Sequence, residues 1–293
     1  MSNIPTPSPP ATLLPPIQVP LVFFYPNTHT TSITNIFSKR SQTLKLSLAQ
    51  TLTRYYPFAG KIKEVHLSVE WNDVRVYYVE ARVNSHLSPD TRLTHGLLPR
   101  EPINIEPKAG SNVATVQVNF FKCGGIALTM CTSHKIMDGL TYISFIKLWA
   151  DTARGLKTEC PSFIASALFL QNSSLPKDSS MVMWPSTVNQ SKYVTSRFLL
   201  DASTLVGLKA KAASSKFVPV PSCVEAVLWL IWESAMAALN ALNGSPKPSV
   251  FSLAVNLRRK TFPHLPKLSV GNLIWSGCPI PETLVEPREI VTN

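Results

Sequence analysis

Thr132-Ser133-His134-Lys135-Ile136-Met137-Asp138-Gly139 is the stretch on which the fold turns. An apolar run, Gly125-Ile126-Ala127-Leu128-Thr129-Met130-Cys131, leads into it and reads as a buried strand. Beyond it Leu140, Ile143, Ile146, Trp149 and Ala153 recur at helical spacing. His134 is therefore expected at the end of a strand, and Asp138 at or near the start of a helix. A neutral imidazole so placed can take a proton near neutral pH, as a general base must. The same residues have a plainer reading. Asp is a favoured N-cap, and a single His is usually structural or solvated. A His followed by Asp four residues later is a weak signal by itself; Gly139 and the strand–loop–helix setting sharpen it.

Composition narrows the class. At 293 residues the chain has room for one large domain or two ordinary ones. A hydrophobic content of 45% with a mean hydropathy of +0.10 describes a globular chain with ample core material. The net charge of +11 favours anionic partners. Its Lys and Arg residues are scattered, so no nucleic-acid stripe is formed, and an acidic small molecule suits the charge. Cys123, Cys131, Cys160, Cys223 and Cys278 include no CxxC pair, so neither a disulfide framework nor a zinc site is indicated. They read as reduced, mostly buried residues of a cytoplasmic protein. No basic segment followed by an apolar core opens the chain, and no apolar run of spanning length is read. The expectation is a soluble chain with no metal, no nucleic acid and no membrane among its partners.

In chain order, Ile4 to Pro20 is too rich in Pro for regular helix or central strand. Val19 to Tyr25 reads as a strand, and residues 26–41 as polar and turn-like. Leu44, Leu48, Leu52 and Tyr55 mark one face of a helix stopped by Pro57 and Gly60. Val74 to Glu80 and Val113 to Phe121 read as strands. Residues 171–192 are rich in Ser, Asn, Gln, Lys and Pro, which suits a linker. The second half restarts with a strand from Tyr193 to Leu200 and a helix from about Ala202 to Ser214. Ser222 with Glu225 matches a capping box for a long apolar helix through Ala241. Trp229, Trp232 and Met236 on that helix read as core. Phe251 to Leu257 and Leu273 to Ser276 read as further strands. The organisation expected is a first domain over 1–172, a linker over 173–192 and a partial second domain over 193–293.

Several separated pieces together resemble the plant BAHD family of acyl-CoA-dependent acyltransferases, in its vinorine-synthase-like branch. They are Pro5-Thr6-Pro7, Phe24-Tyr25-Pro26, the run Leu44 to Leu52 leading into Tyr56-Pro57-Phe58-Ala59-Gly60-Lys61, and Val79-Glu80-Ala81. Cys123-Gly124-Gly125, the HxxxDG motif over His134 to Gly139, Val255-Asn256-Leu257-Arg258 and Gly271-Asn272 complete the set. Their order and spacing across nearly the whole chain make the match specific.

The resemblance implies an α/β fold with mixed sheets, in two domains of chloramphenicol-acetyltransferase-like topology, the second incomplete. It implies a monomer whose co-substrate is acyl-CoA, with acetyl-CoA expected, and whose second substrate is a small-molecule acceptor. It makes His134 the base that deprotonates the acceptor hydroxyl or amine for direct attack on the thioester. By the same resemblance Asp138 points away from the channel and pairs with Arg258, supporting the site with Gly139, and Asn272 lines the acceptor channel. A buried carboxylate needs such a partner, and the forked donors of arginine suit it.

Two departures matter. The family's second signature, Asp-Phe-Gly-Trp-Gly, lies beyond Gly271-Asn272, and roughly a third of the usual family length is expected to be missing at the C-terminal end. The Leu-Ser-x-x-Asp segment expected near the start is not found between Pro10 and Pro16. Three readings follow. One is an acyl-CoA-dependent acyltransferase acting on a plant specialised metabolite such as an alkaloid. Another is an inactive truncated remnant that binds a ligand or partner weakly, with apolar surface exposed near Trp275. The last is a different HxxxDG enzyme, such as a condensation domain, against which Ser133 speaks because a second His is usual there.

Overall fold

The computed structural model describes residues 17–27, 33–62, 69–70, 76–88, 95–99, 110–134, 136–169, 198–213, 218–245 and 251–277. The chain divides into two compact units. The first comprises residues 1–195 with 256–274, the second 196–255 with 275–293. The linker expected over 173–192 lies outside the described residues. The second half is not one continuous block: residues 256–274 belong with the first unit.

Strands β1 (Gln18–Tyr25), β2 (Lys61–Ile62), β3 (Val69–Glu70), β4 (Tyr77–Val83), β5 (Ala114–Phe121) and β6 (Ile126–Ser133) belong to the first unit. So do helices α1 (Ile33–Arg54), α2 (Gly139–Ala153) and α3 (Ala165–Leu168). Its main sheet runs β1-β6-β5-β4, with β6 antiparallel to both neighbours and β4 parallel to β5. The hairpin between β5 and β6 closes through Gly124, whose φ of +81° favours glycine. A Cβ there would also come within 2.9 Å of Asn27.

Every residue of β5 and β6 is buried, because both faces of the sheet are covered. Val116, Val118 and Phe120 of β5, with Ile126, Leu128 and Met130 of β6, share the main core with α1 and α2. The other face carries polar side chains that find partners in the turn at His95–Leu97. Gln117 donates to the Gly96 carbonyl at 2.9 Å, and Thr129 to that of Leu97 at 2.6 Å. These bonds make burial of polar groups tolerable.

Helix α1 begins at Ile33, inside the stretch expected to be turn-like. Tertiary packing overrides the polar composition there: Phe37 sets its ring edge-on to Phe120 with centroids 5.4 Å apart. Helix α2 is bound to the sheet and to α1 at separate points. Tyr142 donates its hydroxyl to the Met130 carbonyl, and Trp149 Nε1 donates to Leu44 O and Ser47 Oγ. Phe145 lies fully buried against Tyr55 and Phe58.

The second unit contains α4 (Ala202–Ala212) and α5 (Cys223–Asn243). Asp201 caps α4 by accepting from Thr204 N. The capping box expected at Ser222 and Glu225 is present, and α5 ends at Gly244 with a left-handed φ of +70°. Trp229 packs with Leu208 and Ala226 in a small core, and Met236 is buried as well. Strands β7 (Leu253–Asn256) and β8 (Ile274–Gly277) form a two-stranded ribbon. The strand expected from Tyr193 to Leu200 falls largely outside the described residues; Phe198 to Leu200 are irregular.

Two further expectations are corrected. Cys160 and Cys223 are exposed, with Cys131 buried and Cys123 half-buried. Helix α5, at 21 residues and a mean hydropathy of 1.3, is long and apolar enough to cross a membrane by length and composition. Its small polar and charged residues, Glu225, Glu233, Ser234 and Asn240, hide that average from inspection of the sequence.

Candidate active site

His134 directly follows β6, and its backbone N–H donates to the Ile17 carbonyl at 2.9 Å. Asp138 is the N-cap of α2: its Oδ1 accepts from Thr141 N at 2.8 Å. The plainer reading of Asp138 as a cap is thus realised, and the carboxylate does more besides. Arg258 meets it with two parallel bonds, Nη1 to Oδ2 at 2.6 Å and Nη2 to Oδ1 at 3.1 Å. Leu273 N adds a further bond to Oδ2 at 3.0 Å. The side chains are 1% and 0% exposed.

Two buried charges survive only when their remaining hydrogen-bonding capacity is also met. Arg258 meets it with main-chain oxygens and neutral side chains. Its Nε donates to Ser269 O at 3.0 Å, and Nη2 reaches Ser269 O at 2.7 Å and Thr141 Oγ1 at 2.9 Å. Nη1 also reaches Asn256 Oδ1 at 3.1 Å.

Residues 256–274 therefore act as a clamp on the loop between β6 and α2. Besides Arg258, Gly271 accepts from Thr141 Oγ1 at 3.1 Å, and its carbonyl stands 3.4 Å from Asp138 N. Gly271 holds a φ of +139°, a conformation that side-chain-bearing residues rarely adopt. Asn272 is fully buried and donates Nδ2 to the His134 carbonyl at 2.7 Å. The clamp is itself held by a bridge between Ser162 and Ser269, with Val270 N donating to Ser162 O at 2.8 Å.

The structure brings His134, Asp138, Arg258 and Asn272 together; Gly139 opens α2, where a Cβ would meet nothing within 4 Å. The fold itself does not demand glycine at 139. His134 Nδ1 and Asn272 Oδ1 are buried without a hydrogen-bond partner among the described residues. Thr141 is a supporting residue that sequence reasoning missed. Its signal was a hydroxyl at the third helical position, three residues after Asp138. Tyr55 lies close enough for the Arg258 charge to act on it, yet burial dominates and pushes its phenol up to about 12.

A histidine just past a strand, an inward-capping aspartate and an arginine returned from a distant segment thus stand together in the first unit. The Transferase family model matches residues 10–286, and the chain belongs to that family, the BAHD acyltransferases. The limonoid 7-O-acetyltransferase of Citrus sinensis is 40% identical over 278 residues, covering 88% of this chain and 60% of that one. Vinorine synthase of Rauvolfia serpentina is 33% identical over 275 residues, covering 89% and 62% respectively. The crystal structure of vinorine synthase superposes with a TM-score of 0.73 at 29% identity, over 95% of this chain and 66% of that chain. The chain thus spans about 60% of the length of these sequence relatives. A complex of F. graminearum TRI101 with coenzyme A and T-2 mycotoxin shares the fold, at a TM-score of 0.65 and 18% identity over 95% of this chain and 69% of that chain.

Proposed function

We propose that the chain belongs to an enzyme that moves an acetyl group from acetyl-CoA to a hydroxyl of a plant specialised metabolite, with His134 as general base. The observation that carries this reading is the clamp that fixes the His134 loop through Asp138, Arg258 and Asn272. Preorganisation of that kind supplies much of catalysis, because a base must meet its proton within hydrogen-bonding reach.

His134 Nδ1 is buried, which leaves Nε2 to meet the acceptor. Nε2 takes the hydroxyl proton as the acceptor oxygen forms a bond to the thioester carbonyl carbon. The C–S bond then breaks, and the proton passes to the departing thiolate, giving ester and coenzyme A. Asp138 and Arg258 are positioning residues and touch no reacting atom. Gly139 is assigned to the turn into α2, and Asn272 to the acceptor side of the loop. Coenzyme A as donor is supported by the family and by the fold shared with a coenzyme A complex. The names of the relatives support a limonoid or alkaloid alcohol as acceptor. A cytoplasmic monomer completes the proposal.

The second reading, a remnant without activity, is favoured by one observation: Trp275 of β8 is 61% exposed. Titration of the purified chain with acetyl-CoA, followed by calorimetry, separates the two. Saturable heat is expected. No heat from folded protein overturns donor binding by this chain. Where donor binds, an acceptor screen should give product that His134→Ala does not make; transfer by that variant at the parent rate would remove His134 from the mechanism.

A further inference from the structure

Between α1, α2 and the sheet beneath them lies a half-open cavity of about 680 Å³. Leu44, Ile126, Leu128, Ile146 and Trp149 form its walls. It lies at the far end of β6 from the candidate active site. Ile126 opens that strand and His134 follows its last residue, so extended backbone puts on the order of 25 Å between them. A volume in this range is typical of small-molecule sites.

The walls offer no hydrogen bond to a guest where their one indole stands. Trp149 Nε1 is already engaged by Leu44 O at 3.2 Å and Ser47 Oγ at 3.0 Å. The rim is different. Lys39, Arg40 and Arg154 border the cavity, and no carboxylate lines it among the described residues. Arg40 is held in place by neutral acceptors, the Gly124 carbonyl at 2.5 Å and Asn27 Oδ1 at 3.1 Å. Its position is fixed, and no carboxylate pairs with it among the described residues. Arg154 shares the single carboxylate of Asp151 with Lys147. An apolar interior beside the anchored guanidinium of Arg40 and the ammonium of Lys39 is complementary to one kind of molecule.

We propose that this cavity binds a single-chain amphiphile with an anionic head, in the class of long-chain fatty carboxylates. The tail lies between α1, α2 and the sheet, and the carboxylate meets Arg40 and Lys39. The site is separate from the acyl-transfer reading and does not rest on it.

The test is competition by octanoate, decanoate and dodecanoate against a fluorescent fatty-acid analogue, below the critical micelle concentration. Affinity should rise about threefold to fourfold for each added methylene, as burial of alkyl surface requires. The double variant Lys39→Gln with Arg40→Gln should weaken dodecanoate binding at least tenfold and leave dodecanol binding unchanged. Ala153→Trp, at a half-buried position on the cavity wall, should abolish binding of both while the circular dichroism spectrum stays that of the parent. His134→Ala should bind all of them like the parent, which keeps this result apart from the fate of the acyl-transfer reading. Saturable binding that Ala153→Trp does not alter would overturn the assignment to this cavity, as would no saturable binding by the parent. Equal affinity for dodecanol and dodecanoate would overturn the anionic head.

Discussion

Helix α2 is capped by Asp138 and helix α5 by Ser222 with Glu225, and each is apolar along much of its length. Seven of the fifteen residues of α2 are buried; α5 buries only Ala226, Trp229 and Met236 of its twenty-one. Val224, Ile231, Leu239 and Leu242 of α5 are exposed instead. Local sequence thus made two helices of similar quality, and tertiary partners buried one of them far more than the other. The cap on α5 ends its work at the first turn. The cap on α2 is also the acceptor for a guanidinium delivered from 120 residues away. Stability should therefore be concentrated around α2, and mutations can test that directly.

The largest effect is expected at the buried pair. Arg258→Ala or Asp138→Ala leaves its partner charged and buried, which costs about 3–5 kcal/mol. Urea denaturation should show the midpoint fall accordingly. Replacing both, as Arg258→Met with Asp138→Leu, should recover a large part of the loss, because no orphan charge then remains. By contrast Arg154→Ala at the other end of α2 removes a partner whose side chain is 64% exposed. The midpoint should stay where it was. An equal response at the two pairs would mean that burial does not set their difference.

Next is the core beneath α2. Phe145 is fully buried among Tyr55, Phe58 and Trp149. Phe145→Ala should cost about 3 kcal/mol, the range for large cavities left in a packed interior. Ile231→Ala on α5, at a position 55% exposed, should shift stability by less than about 0.5 kcal/mol. A matching loss at Ile231 would show that α5 has a buried partner in solution.

How much of this could be read in advance differs by distance along the chain. The β6–loop–α2 unit was legible, since an apolar run, a cap and helical spacing are all local signals. The box at Ser222 and Glu225 was legible for the same reason. That Arg258 reaches Asp138 was not a matter of spacing; it came from likeness to a family, and the geometry supplies its physical content. Nothing in residues 256–274 announces that they pack with the first unit, because each of their bonds to it has its partner far away in sequence. The early turns of α1 were hidden by Asn35, Ser38, Lys39 and Arg40, polar residues on a helix whose Phe37 finds its place against Phe120. Thr141 looked like any helical threonine until Arg258 and Gly271 were placed beside it. The cavity has no signature in sequence, since it exists only where two helices and a sheet fail to close.

Alkaline titration gives the comparison a pH axis. Burial raises the Tyr55 phenol to about 12 from 10.0, and raises Tyr142 of α2 as well. Below pH 10 both states hold the proton. Above it the unfolded chain releases a proton that the folded one keeps until about 12, so stability falls as pH rises through that window. Absorbance at 295 nm should show these phenols ionising only with unfolding, and Tyr55→Phe should flatten the slope. A normal titration of every tyrosine in folded protein would contradict the packing around Tyr55.

The smallest effect belongs to α5. Ser222→Ala removes the hydroxyl that accepts from Glu225 N at 3.2 Å and leaves an orphan N–H at an exposed helix start. Water can reach that N–H, so the cost should be about 1 kcal/mol. Hydrogen exchange should quicken over the first turn of α5 and leave β5, β6 and α2 unchanged. Asp138→Asn offers the counterpart on α2. Asn also caps well, so the first turn of α2 should survive, while Arg258 loses the opposite charge and the whole first unit exchanges faster. If instead Ser222→Ala loosened the first unit too, the two caps would be parts of one cooperative structure, and the contrast between α2 and α5 would be one of surface alone.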